Sequence, residues 1–212
     1  MPSRSARADA DLVPLVAFDS NVVDLWAEAG APDLADGIER CEQPPRTLHP
    51  SAYAVYWLLA LAPRWPGVLY TFSDSLYREV AAMPAVRRDY ADQLIGLAAE
   101  IREGHPRQYR VVDTPTDPTP DEVESIGLST ADAQHVADAI AMRADYFLTC
   151  DKGILKRSYA IKNEWYLHVL LPEDFLLISV RKGAPWPTRE PWPWELRELR
   201  AAATRLGMVD DS

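Results

Sequence analysis

The chain reads as an α/β protein, a three-layer α/β/α sandwich around a central, mainly parallel sheet of about five strands. Three observations predict this. The strand candidates are short, continuous apolar runs without alternation, as in LVAF, VLYT and YFLT, and strands covered on both faces look like this. Strand candidates and helical segments also alternate along the chain, the order that gives a parallel sheet. Finally, two apolar runs stop on an aspartate: LVAFDSN on Asp19 and YFLTCDKG on Asp151. In such sheets, ligand sites lie at the carboxyl ends of the strands.

The elements follow in order. Residues 1–12 read as a disordered lead-in, and Leu15 to Phe18 as a buried strand. Asn21 to Glu28 reads as a helix ending at Gly30, with a second short helix over 31–40 and a proline-punctuated loop over 41–50. Ser51 caps an apolar helix to about Ala62, where ProArgTrpPro breaks it. Val68 to Thr71 is the second strand, and Ser73 is the natural N-cap of SLYREVAAM. A longer helix runs from Pro84 to about Gly104, and Tyr109 to Val112 is the third strand. After the loop DTPTDPTP comes a short helix at about 120–126, then a helix from Ser129 through Met142. Tyr146 to Thr149 is the fourth strand, Asp151 opens a helical turn, and Tyr166 to Leu170 is the fifth strand. Residues 13–180 form the main domain; 181–212 add a Pro/Trp-rich segment and an amphipathic helix carrying Leu196, Leu199 and Leu206.

Composition narrows the classes. Of 212 residues, 48% are hydrophobic and 25% charged, which suits a globular core. The net charge of −10, from 32 acidic against 22 basic side chains, argues against coating nucleic acid by bulk electrostatics. It leaves room for local grip. Cys41 and Cys150 make neither a zinc spacing nor a disulfide framework, and Cys150 reads as a small buried thiol. The N-terminus has no apolar core segment of a signal peptide, and AYAVYWLLALA is too short to span a bilayer. A cytoplasmic protein without a membrane partner is expected.

Four acids fall where a bland reading strains. Asp19 and Asp151 sit just past strand ends. Glu79 follows Leu76 at i+3, on the stripe of Leu76, Val80 and Met83, where a glutamate is costly unless paired or bound to metal. Asp132 lies one turn before Val136, at the upper end of the stripe with Ala139 and Ile140. Converging carboxylates repel and some take up protons. A divalent cation resolves the conflict, Mg²⁺ or Mn²⁺ suits oxygen ligands, and such ions serve phosphodiester hydrolysis. Each acid alone has another reading. Asp151 can be the N-cap of KGILKR, Asp132 part of a capping box with Ser129, and Asp19 a cap for the helix at Asn21. Glu79 is the hardest to explain away, since Asp74 is the one placed for the helix dipole. Four such coincidences at one rim favour a site.

With these residues assembled, the chain resembles the PIN-domain nucleases. The pieces are VAFDSNVVDLW, the helix around Glu79 after VLYTFSDSL, STADAQHVADAIAMRADYFLTCDKGILKR, and LHVLLPEDFL, covering about residues 14 to 178 with a poor match from about 30 to 67. The resemblance implies a Mg²⁺- or Mn²⁺-dependent endoribonuclease acting on RNA. Many bacterial members are VapC-type toxins of toxin–antitoxin pairs, so an antitoxin protein and a homodimer are the implied partners. Carried onto this chain, Asp19, Asp132, Asp151 and Glu79 would be the metal-binding catalytic acids. Asn21 and Thr149 would be the polar groups that orient Asp19 and Asp151.

Other residues read more plainly. His135, one turn after Asp132, could touch a phosphate or position water but is expected to pack or solvate, and Asp138 and Asp24 to lie at the surface. Arg78 and Lys152 flank the acids and could meet phosphate. Trp186, Trp192 and Trp194 are expected to pack back onto the domain. Two other functions compete. A phosphohydrolase with Asp19 as nucleophile usually needs a second Asp two residues on, where this chain has Asn21. A catalytically inactive PIN-like module binding protein or RNA is the alternative, and the intact acid set counts against it.

Overall fold

A computed structural model describes residues 13–28, 49–61, 67–103, 117–184 and 193–208. The expected lead-in over 1–12, the short helix over 31–40, most of the loop over 41–50 and the third strand over 109–112 lie outside these residues, as do Cys41, Trp186 and Trp192.

The first strand, β1, is Leu15–Phe18, and α1 follows at Ser20–Glu28. After α2 (Pro50–Leu61) come β2 (Leu69–Thr71), α3 (Asp74–Ala82) and α4 (Ala85–Glu103). Next are α5 (Pro120–Glu124), α6 (Thr130–Ala141) and β3 (Tyr146–Leu148). Last come α7 (Lys152–Lys156), α8 (Ser158–Trp165), β4 (His168–Leu170), α9 (Pro172–Arg181) and α10 (Pro193–Arg205). The sheet has four strands in the order β2-β1-β3-β4, and every pair is parallel. The five strands expected from the sequence are therefore four among the described residues.

Alternation sends successive strand side chains to opposite faces. Val16, Phe18, Tyr70 and Leu148 join a core with Val22, Trp26, Leu59, Leu76 and Leu94 from α1 to α4. Ala17, Phe147 and Val169 join another with Val136, Ile140, Ile154 and Ile161 from α6 to α8. Helices thus cover both faces, which explains why the strands carry no polar alternation. The arrangement is compatible with three α/β/α layers.

Local chemistry sets the helix ends. The Leu76 amide donates to the Ser73 hydroxyl at 3.1 Å, capping α3 as expected. Thr119 and Glu122 form a reciprocal capping box at α5. Where one helical turn was expected after Asp151, α7 and α8 follow one another. The fifth expected strand begins later than Tyr166, because Tyr166 (φ 60) is the left-handed C-cap of α8. The short apolar segment after ProGluAsp is the helix α9, entered through Pro172. α10 packs on α9, where Arg205 pairs with buried Asp174 at 2.7 Å. No described helix is long and apolar enough to cross a membrane.

Candidate functional site

Strand register brings Asp19 and Thr149 together. β1 and β3 are neighbours, Phe18 pairs with Leu148, and the Asp19 amide donates to the Leu148 carbonyl at 2.9 Å. Both residues leave the sheet at its carboxyl rim and are buried, Asp19 to 3% exposure and Thr149 to 0%. The Thr149 hydroxyl donates to Asp19 Oδ2 at 2.5 Å and accepts from the Asp151 amide at 2.9 Å. Asn21 Nδ2 donates to the same Asp19 oxygen at 2.8 Å and to Thr149 Oγ1 at 3.2 Å, while its Oδ1 accepts from the Cys150 amide at 3.0 Å. The Ser20 amide takes Asp19 Oδ1 at 2.8 Å.

Asn21 and Thr149 therefore both hydrogen-bond the Asp19 carboxylate. Thr149 meets Asp151 through the backbone amide rather than through the carboxylate. Burial pushes the Asp19 carboxyl above its ordinary range. The Thr149 hydroxyl, the His135 charge and the Ser20 amide oppose that rise, and the nearby Asp132 adds to it.

The outer acids are each engaged by the protein. Asp151 Oδ1 caps α7, accepting from the amides of Gly153 and Ile154. Asp132 Oδ2 accepts from the Ser129 hydroxyl at 2.7 Å, and Ser129 in turn accepts from the Asp132 amide. Glu79 is corrected most. Its side chain is 45% exposed rather than turned inward, because Ser75, Leu76 and Val80 form the buried stripe of α3. It is instead paired with His135, whose Nε2 lies 2.8 Å from Glu79 Oε1.

His135 itself is buried, and Nδ1 lies 3.3 Å from Ser75 Oγ. Ser75 also contacts Ser73 Oγ at 2.8 Å and donates to Asp138 Oδ2. Asp138, expected at the surface, is half-buried here and also accepts from Gln134 at 2.6 Å. Asp24 keeps its surface role, pairing with Arg87 at 3.0 Å. Ser75, Arg78, Glu79, Ala131, Gln134 and His135 line an open cleft of about 230 Å³. The sequence carried one signal of this chain. His135 and Asp138 are three apart on α6 and share a face, amid alanines that leave room for a neighbouring helix.

The donor set is hard oxygen, which suits Mg²⁺ or Mn²⁺ in kind. Among the described residues, though, no three His, Cys, Asp or Glu side chains are gathered to hold a metal ion as they stand. Asp132, Asp151 and Glu79 each spend one oxygen on the protein, and the other makes no hydrogen bond among the described residues. Asp151 is linked to Asp19 through Thr149, Asp132 lies close enough to Asp19 to raise its carboxyl further, and Glu79 is paired with His135.

No family model matches the chain, and neither a curated protein nor a solved structure matches it.

Proposed function

We propose that the protein is a Mg²⁺- or Mn²⁺-dependent endoribonuclease of the PIN type, hydrolysing RNA phosphodiester bonds. The observation that carries the reading is Asp19. It is a buried carboxylate at the carboxyl rim of a parallel sheet, held by three donors, with a second acid near enough to raise its proton affinity further. Burying such a group costs stability unless something compensates it, and a cation is the natural compensation.

Asp19, Asp132, Asp151 and Glu79 would hold the ion. When bound, it would activate a water and offset charge on the leaving oxygen. The chain's own residues prepare the rest. Thr149 and Asn21 fix Asp19 Oδ2 and the Ser20 amide binds Oδ1, so three of about four acceptor positions on the carboxylate are already filled. Arg78 in the cleft and Lys152 after Asp151 supply positive charge for phosphate, which matters in a chain of net charge −10. A toxin–antitoxin role and a homodimer belong to the same reading.

The second reading, an inactive PIN-like module that binds protein or RNA, is favoured by the engagement of all three outer acids with protein partners. One experiment separates them. Purified protein and Asp19→Asn are incubated with a mixed structured RNA in Mn²⁺, Mg²⁺ or EDTA. Metal-dependent cleavage that Asp19→Asn abolishes supports the nuclease. No cleavage, together with no Mn²⁺ binding by calorimetry, removes that reading and leaves the module.

A further inference from the structure

The polar chain linking α3 to α6 has a direction that its donors dictate. A carboxylate only accepts, so the single Ser75 hydroxyl proton goes to Asp138 Oδ2. Ser73 must then donate to Ser75, and it is free to do so because its own oxygen accepts from the Leu76 amide. Ser75 has one lone pair left, which accepts from His135 Nδ1–H. The ring's other nitrogen, Nε2, faces Glu79 Oε1 at 2.8 Å. The same direction argues against Ser75 as a nucleophile with His135 as its base, because the hydroxyl proton points away from the ring.

We propose that Ser73, Ser75, Asp138 and His135 form a positioning relay for Glu79. A glutamate on an exposed helix face is free over many rotamers. Glu79 is 45% exposed, yet its partner His135 is 6% exposed and anchored at its other nitrogen. The relay therefore presents a solvent-facing carboxylate in one orientation at the cleft. The inference rests on the nuclease reading above and names the residues that complete that site. His135 and its partners are positioning residues, acting through Glu79.

The test compares wild type with His135→Leu, His135→Gln and Ser75→Ala. It measures Mn²⁺ affinity by calorimetry, kcat and KM on one RNA, and Tm. Groups that orient a metal ligand cost about 10- to 100-fold in metal affinity or activity when removed. His135→Leu and Ser75→Ala are expected to show that loss in Mn²⁺ affinity or kcat, with KM little changed. His135→Gln, whose amide N–H can still reach Glu79, is expected to recover most of it. If His135→Leu does not fold, Ser75→Ala carries the comparison. The relay is overturned, with the nuclease intact, if wild type is active and the variants match it per folded molecule. It is also overturned if His135→Gln is no better than His135→Leu. A wild type that neither binds Mn²⁺ nor cleaves RNA removes the nuclease reading and the relay together.

Discussion

Thr149→Val removes one oxygen from the centre of the site and keeps the side chain's shape. That oxygen has three roles: it donates to Asp19, accepts from the Asp151 amide and accepts from Asn21. A hydrogen bond to a charged group contributes about 1.5–3 kcal/mol, and stranding a buried N–H costs about 1–3 kcal/mol. Asp151 is half-buried, so the second term falls towards its lower end. The expected loss is about 2–4 kcal/mol, a large share of the roughly 5–15 kcal/mol that holds a domain together. Thr149→Ser keeps the hydroxyl and loses one methyl, so it should cost only about 1 kcal/mol. Urea unfolding at neutral pH measures both. The sign with pH is also set. The hydroxyl favours ionised Asp19, so its removal lifts the carboxyl further above its ordinary range. The valine deficit is then full above that raised value and shrinks as pH falls through it. A deficit below about 0.5 kcal/mol, or one equal for valine and serine, would refute the hub role of Thr149.

Three further outcomes are expected. The folded-state pKa of Asp19 is raised by burial, so native protein holds that proton more tightly than unfolded chain; Asp19 opposes folding increasingly as pH rises through the raised value. Metal-free Asp19→Asn should accordingly have a flatter stability–pH profile than wild type from about pH 4 upward, read by thermal unfolding across buffers. Gly127 has φ +91, and an added Cβ would lie 2.9 Å from Arg157 Nη2. Gly127→Ala should cost about 1–2 kcal/mol in urea unfolding, chiefly from the left-handed backbone. Arg205→Met removes the cation that faces buried Asp174 from α10. Because the arginine is 38% exposed, the loss should be modest, about 1–2 kcal/mol, with faster hydrogen exchange over 193–208.

Much of the fold was legible because burial on two sides leaves a compositional mark. LVAF, VLYT and YFLT have no polar face to show, so they read as parallel strands, and Ser73 and Ser129 marked helix starts through cap chemistry that is local. Asp19 and Asp151 were legible for a related reason: they end apolar runs, and parallel strands deliver their ends to one rim. Glu79 was misread, because spacing from Leu76 places a residue beside a stripe without saying how far the neighbouring helix extends over it. Asp138 and Ser75 were missed, since each looks like surface until α3 and α6 are side by side.

The sequence by itself determined the α/β class, the parallel sheet and the two aspartates at its rim. Those follow from patterning and cap chemistry within a few residues of each position. Tertiary structure alone decided the meetings between elements: Thr149 for Asp19, and His135 for Glu79 across 56 residues of chain. A hydrogen bond needs two atoms within about 3 Å of each other. For the contacts that cross between elements, nothing in the local sequence carries that distance until strand pairing and helix packing have set it.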